Sequence, residues 1–379
     1  MTFYPLASDN WDTRETDALH RVIDSNRFTM GPEVKDFESQ LAQFHGVKNA
    51  VMTNSGSSAN LLMIAALCER GDIKPGDEVI VPAVSWSTTY FPLYQYGITM
   101  VFVDVDKFGN IDPQRAVDAL TSKTRAILAV NLLGFAAPLK ELKDICDQRG
   151  IHLLEDNCES FGATHQDRIT GTWGTMGTLS FFYSHHITTM EGGCVLTNDN
   201  ELADYLRILR AHGWVRDTEH NTLWHKTGDA FEDSFRFVLP GYCVRPLELS
   251  AAVGKVQLEK WPEQRAGRLR NAKTWSQTIA HPSIETPDYD ESSTWFGFPV
   301  LCTSGVARRE LLERCRSEGI ESRPIVAGNF VNQPVIRRMP HRVHGALTNS
   351  ERIDKTGLFF GNDSRDLTAQ ITRLGELLC

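Results

Sequence analysis

Between residue 47 and about residue 200, short β-branched apolar runs alternate with stretches of helical period, and this alternation restricts the chain to few architectures. The runs are Ala50-Val51-Met52, Glu78-Val79-Ile80-Val81, Met100-Val101-Phe102-Val103, Ala126-Ile127-Leu128-Ala129-Val130, Ile151-His152-Leu153-Leu154, Thr178-Leu179-Ser180-Phe181-Phe182 and Cys194-Val195-Leu196. Continuous apolar runs of this length suit strands buried on both faces. Helical spacing between them predicts helices over 58–69, 87–95, 113–121 and 138–149. The expected fold class is therefore α/β, a mostly parallel sheet sandwiched by helices with ligands at the carboxyl ends of its strands.

After Gly241 the pattern shifts to longer helical stretches, over 246–260, 263–280, 307–318 and 346–357, with a strand at Trp295-Phe296-Gly297-Phe298-Pro299-Val300. A chain of 379 residues exceeds the usual size of one hydrophobic core. We therefore expect a large α/β domain over 1–245 and a small α+β domain over 246–379, the boundary falling between 235 and 260.

Charge and cysteine usage exclude several function classes. The net charge is −9 and no lysine or arginine run forms a basic stripe, so a nucleic-acid partner is not expected. No apolar run is long enough to span a bilayer, and MTFYPLASDNWD lacks a signal-peptide layout, so a cytoplasmic protein is expected. The eight cysteines are widely spaced with no C-x-x-C pair, which predicts free thiols and no metal site.

Four segments follow predicted strands in order. Thr53-Asn54-Ser55-Gly56-Ser57-Ser58 enters a helix through glycine and hydroxyl residues, where unpaired amides and the helix dipole favour a phosphate. Taken alone, it reads at least as well as an ordinary N-cap. Val81-Pro82-Ala83-Val84-Ser85-Trp86 offers an indole to lie on an aromatic ligand or to fill the core. Leu153-Leu154-Glu155-Asp156-Asn157-Cys158-Glu159-Ser160 runs from apolar residues into acids, so Asp156 can pair with a protonated ring nitrogen or cap a turn. Phe182-Tyr183-Ser184-His185-His186 places two imidazoles shortly before Glu191-Gly192-Gly193. Together the four supply what one cofactor, pyridoxal phosphate, needs at its phosphate, ring face, ring nitrogen and reactive carbon.

On these motifs the chain resembles the fold-type I pyridoxal-phosphate enzymes, specifically the nucleotide-sugar aminotransferases and dehydratases that include DegT, DnrJ and EryC1. The resemblance runs from Phe28-Thr29-Met30-Gly31-Pro32 through Arg245-Pro246-Leu247-Glu248 to Arg323-Pro324-Ile325-Val326, and it includes Tyr4-Pro5-Leu6-Ala7-Ser8. In the family's aminotransferases a Schiff-base lysine precedes Glu-Gly-Gly; here that position is His185. Imidazole cannot form the imine, but with an ordinary pKa of about 6.5 it can shuttle a proton beside a noncovalently held pyridoxamine phosphate.

The resemblance thus implies a sugar 3-dehydratase of the kind found in colitose biosynthesis for lipopolysaccharide O-antigen. It would remove the C3 hydroxyl of a nucleotide-linked 4-keto-6-deoxyhexose, GDP-4-keto-6-deoxy-D-mannose, with glutamate regenerating the amine form of the cofactor. A second kind of histidine-bearing 3-dehydratase carries an iron–sulfur cluster on cysteines after the Glu-Gly-Gly strand. The corresponding Arg210-Ala211-His212-Gly213-Trp214-Val215-Arg216 has none, so no cluster is expected. The implied roles are His185 as base, Gly56, Ser57 and Ser180 at the phosphate, Trp86 on the ring, Asp156 at its nitrogen and Glu159 at its phenolic oxygen. His212, Arg323 and Asn329 would contact substrate, and a homodimer would form the active site between subunits.

Two departures stand out. Relatives usually carry asparagine where this chain has Cys243, a poor hydrogen-bond donor at the position of an expected cross-subunit phosphate contact, and many carry glutamine where Glu159 stands. Two rival readings remain: an aminotransferase recruiting a lysine from elsewhere, such as Lys226, and a noncatalytic binder that has lost its lysine.

Overall fold

The computed structural model describes residues 2–8, 10–220, 224 and 227–378. Helices α1 (Thr13–Asp24) and α2 (Pro32–His45) come first. Then β1 (Asn49–Thr53), α3 (Gly56–Arg70), β2 (Glu78–Pro82), α4 (Ser87–Gln95), β3 (Thr99–Val103), α5 (Pro113–Asp118), β4 (Thr124–Val130), α6 (Leu139–Arg149) and β5 (His152–Asp156) follow in turn. A hairpin of β6 (Thr164–His165) and β7 (Arg168–Ile169) leads to β8 (Met176–Ser180), β9 (Gly193–Thr197), α7 (Asn200–Arg210) and α8 (Ala230–Ser234). The remainder is α9 (Glu248–Thr278), β10 (Ile284–Glu285), β11 (Gly297–Cys302), α10 (Gly305–Ser317), β12 (Ser322–Arg323), β13 (His341–Val343), α11 (Thr348–Thr356), β14 (Gly357–Gly361) and α12 (Thr368–Leu378).

The large sheet has the order β1-β9-β8-β5-β4-β2-β3-β13, with β9 antiparallel to both of its neighbours and the other pairings parallel. Its strands are covered on both faces. Val79 and Val81 pack with Leu62 and Phe102 on one side, whereas Ile80 packs with Val101, Ile127 and Leu142 on the other. This period of two explains why the strands read as unbroken apolar runs. The pairing register sets Val130 beside Asp156 and Asp156 beside Thr178, which lines up the carboxyl ends of β4, β5 and β8. A second sheet, β10-β11-β14-β12, is wholly antiparallel and packs its own core of Trp275, Phe298, Phe360 and Ile371.

Two features differ from the sequence reading. The helices predicted over 246–260 and 263–280 form one continuous helix, α9, with Pro262 inside it. A proline in a helix interior costs about 3 kcal/mol. Here Trp261, Gln264, Arg268 and Asn271 are buried along the same helix, and packing holds it through the missing hydrogen bond. The second feature is β13, which returns from beyond residue 340 to pair in parallel with β3 at the edge of the large sheet. Among the described residues, no helix is long and apolar enough to cross a membrane.

Candidate active site

A cleft of about 660 Å³ opens at the carboxyl ends of β4, β5 and β8. Gly56, Ser57, Trp86, Asp156, Glu159, Ser180, His185 and Arg323 all line it, brought there by separate stretches of chain.

At one end, Ser55 caps α3 by accepting the Ser58 amide at 3.1 Å. The Gly56 and Ser57 amides belong to the first turn and have no carbonyl of their own helix to reach. A Cβ on Gly56 would come within 2.5 Å of the Ser180 Cβ, so only glycine lets the helix start lie against the end of β8. Amides, dipole and the Ser180 hydroxyl converge there as an anion cradle.

Asp156 ends β5 and is buried, with three donors on its carboxylate and acceptor capacity left at Oδ1. Oδ2 accepts from Asn60 Nδ2 at 2.8 Å and from Thr89 Oγ1 at 2.7 Å, and Oδ1 accepts from the Cys158 amide at 3.2 Å. The preceding acid, Glu155, points to the opposite face of the sheet. There it accepts the amides of Gly171, Trp173 and Gly174 at 2.6–2.9 Å, while burial raises its pKa. Of the two adjacent carboxylates, one is presented to the cleft and one braces a turn.

The two histidines divide in the same way. Nδ1 of His185 lies 2.8 Å from the Cys158 carbonyl oxygen, which can only accept, so Nδ1 carries the hydrogen and Nε2 the lone pair. Burial holds the imidazole down at about 4, although the ring is half-open to the cleft, so it is neutral at physiological pH. Phe296 packs edge-on against it with ring centroids 5.1 Å apart. His186 turns instead into the core against Trp261, its Nε2 3.3 Å from the Thr294 carbonyl, and burial depresses it further.

Glu159 accepts the Leu133 amide at 3.1 Å, and burial, reinforced by Asp156, pushes its pKa up to about 7. At neutral pH a substantial share of this side chain is the acid, which can donate a hydrogen bond to an oxyanion. The Cys158 thiol, raised well above its ordinary value by burial and by Asp156, stays protonated.

Trp86 is the N-cap residue of α4 and is 57% exposed, so a face of its indole is open at the cleft. Arg323 is the lone arginine or lysine among the described lining residues, and it is exposed on β12. His212 and Asn329 sit elsewhere. His212, at φ +60°, packs against Trp214, and Asn329 is 1% exposed with its amide on Glu351 and its oxygen on the Val331 amide. Cys243 is exposed beside Arg245, outside the cleft lining. Lys226 lies outside the described residues. None of the described lining residues is a lysine.

Sequence reasoning missed Asn60, Thr89, Leu6 and Phe296. Asn60 lies one helical turn beyond Gly56 on α3, and Thr89 lies in the first turn of α4, but neither position marks by itself a partner for Asp156. Among the described residues, no three histidine, cysteine, aspartate or glutamate side chains converge as a metal site.

The sequence profile of the DegT/DnrJ/EryC1/StrS aminotransferase family matches residues 9–373. The chain belongs to this family. Within it, the chain is 50% identical over 387 aligned positions to the GDP-4-keto-6-deoxy-D-mannose 3-dehydratase of Yersinia pseudotuberculosis, covering 100% of this chain and 98% of the relative. A solved GDP-4-keto-6-deoxymannose-3-dehydratase with a trapped PLP-glutamate geminal diamine superimposes with a TM-score of 0.96 at 49% identity, over 99% of this chain and 100% of that one. A mutant of that enzyme with bound GDP-perosamine gives a TM-score of 0.96 at 48% identity, again over 99% and 100%. The architecture is thus that of the fold-type I pyridoxal-phosphate transferases.

The cleft suits that cofactor on its own chemistry. It provides an anion cradle that a Cβ at Gly56 would fill, a buried carboxylate for a ring nitrogen, and a protonatable acid for a phenolic oxygen.

Proposed function

We propose that this chain is a pyridoxamine-phosphate-dependent dehydratase that removes the C3 hydroxyl of GDP-4-keto-6-deoxy-D-mannose, with glutamate as the amino donor that renews the cofactor. The observation that carries this reading is His185, a neutral imidazole fixed by the Cys158 carbonyl at 2.8 Å in a cleft that holds no lysine among its described lining residues.

When bound, pyridoxamine phosphate supplies a primary amine for the 4-keto carbon and a cationic ring that acidifies the carbon bearing that amine. Asp156 keeps the ring nitrogen protonated, and its bonds from Asn60 and Thr89 hold the carboxylate in place for that task. Gly56, Ser57 and Ser180 bind the phosphate, Trp86 covers the ring, and Glu159 donates to the phenolic oxygen. His185 takes a proton at Nε2 and returns it to the C3 oxygen, which departs as water. Fixing Nδ1–H on a backbone carbonyl keeps the accepting nitrogen constant through the cycle. Arg323 meets the anionic part of the nucleotide sugar.

Further proposals follow from the same reading. The product would be the 4-keto-3,6-dideoxy sugar that leads to colitose in O-antigen lipopolysaccharide. A homodimer in the cytoplasm is its proposed setting. Phe231 and Phe235, 85% and 68% exposed, are the kind of surface a second subunit covers, and the seven described cysteines are unpaired as in a reducing compartment.

The test is incubation with GDP-4-keto-6-deoxymannose, pyridoxamine phosphate and glutamate, with the product read by mass spectrometry. Loss of the C3 oxygen without nitrogen on the sugar supports the dehydratase. Nitrogen retained on the sugar, or cofactor fixed to protein by borohydride, overturns it.

A further inference from the structure

The segment Tyr4-Pro5-Leu6-Ala7-Ser8 has no part in the chemistry above, yet it is tied firmly to the small sheet beside the cleft. Tyr4 is fully buried against Phe360, and its hydroxyl donates to the Gly361 carbonyl at 2.7 Å. The Glu321 amide donates to the Tyr4 carbonyl at 2.9 Å, while the Glu321 carboxylate accepts the Leu6 amide at 2.9 Å. Ser8 Oγ donates to Asp363 at 2.7 Å. A Cβ on Gly361 would stand 2.2 Å from the Leu6 carbonyl oxygen, so the segment lies directly on the backbone of β14. With both flanks held, Leu6 and Ala7 line the cleft.

Leu6 packs on the core cluster that contains Leu132 and Phe359, as do Val326 and Phe296, and all five line the cleft. Their side chains offer no hydrogen-bonding group. The cleft is thus polar where Asp156, Glu159, His185 and Arg323 stand and apolar along this wall.

We propose that Leu6, with Val326 and Phe359, forms the pocket for the C6 methyl of the sugar and selects a 6-deoxyhexose over its 6-hydroxy counterpart. The inference rests on the dehydratase reading, because the methyl is the lone apolar substituent of that hexose. A 6-hydroxyl against this wall would lose water and gain no partner. An apolar pocket separates such a pair by roughly 10- to 100-fold.

The experiment compares binding of GDP-6-deoxy-D-mannose and GDP-D-mannose to the cofactor-loaded protein by calorimetry. Neither ligand has a 4-keto group and neither is turned over, so the affinity ratio is read independently of the deoxygenation assay. We expect wild type to favour the 6-deoxy ligand about tenfold or more, Leu6→Asn to bring the two affinities within about threefold, and Leu6→Met to keep the preference. Val326→Thr, isosteric and on the same wall, gives the same reading should Leu6→Asn fail to fold. Equal affinities in wild type, or an unchanged ratio in the polar variants, would overturn the proposal.

Discussion

The Cys158 carbonyl oxygen lies 2.8 Å from Nδ1 of His185, and this single contact decides which imidazole nitrogen can accept a proton. The acceptor is a backbone atom directly after the Asp156-Asn157 turn, so the base and the carboxylate for the cofactor nitrogen are positioned by one stretch of chain.

Replacing His185 by asparagine removes the base while keeping a polar side chain of similar reach. Turnover should fall by roughly 10²- to 10⁴-fold. Cofactor affinity, measured by absorbance titration, should change little, because the phosphate cradle and Asp156 are untouched. Retention of full deoxygenation in this variant would rule out His185 as the proton carrier.

Glu159 gives a second prediction. Its raised pKa of about 7 means that it loses its proton, and its capacity to donate to a phenolic oxygen, as pH rises through neutrality. Pyridoxamine phosphate should bind wild type more weakly at pH 8.5 than at pH 6, and Glu159→Gln, whose amide donates at either pH, should lose that step. Burial of the carboxylate also destabilises the wild-type fold as pH rises from the ordinary value of 4.5 to about 7, and the loss is complete above that, so the glutamine variant should melt higher at pH 8.5 than wild type.

The close approach of Gly56 and Ser180 predicts a clash that can be relieved. Gly56→Ala places a Cβ 2.5 Å from that of Ser180, which should prise α3 away from β8 and weaken cofactor binding by at least about tenfold, as one displaced charged hydrogen bond to the phosphate would. Adding Ser180→Gly should restore part of that affinity. Additive losses in the double variant would show that the contact is not the cause.

His45 provides a stability test remote from the cleft. Burial lowers its pKa from 6.5 to about 4, and its Nδ1 donates to the Leu41 carbonyl at 2.9 Å beneath Phe44 and Phe161. A folded value below the unfolded one gives stability that is complete above pH 6.5 and disappears as pH falls through 4. At about 1.4 kcal/mol per unit, the upper bound is about 3.5 kcal/mol. His45→Leu should flatten the loss of melting temperature between pH 6.5 and 4.

Asp156 was legible because the apolar run of β5 stops at a pair of acids, and strand period alone then sends one of them to each face. The phosphate cradle was legible for a similar reason, since a strand ending in Ser-Gly-Ser and opening a helix is a local pattern. Asn60 and Thr89 were not, because their meeting on Asp156 depends on how α3 and α4 pack over β5, which no local run encodes. Phe296 and Leu6 reach the cleft from the small sheet and from the start of the chain, and distance along the sequence hid them. Pro262 misled in the opposite sense: a strong local signal for a break gave way to the buried side chains along α9.

Tyr4 bridges Ile320, and β13 completes the edge of a sheet begun by β1. A ribosome must therefore deliver more than three hundred further residues after Tyr4 before that residue meets Ile320, and the outer edge of the large sheet waits still longer. Until then the nascent chain exposes an unfinished strand edge, and chaperone protection during synthesis should matter more to the yield of this protein than to that of chains whose strand partners lie close in sequence.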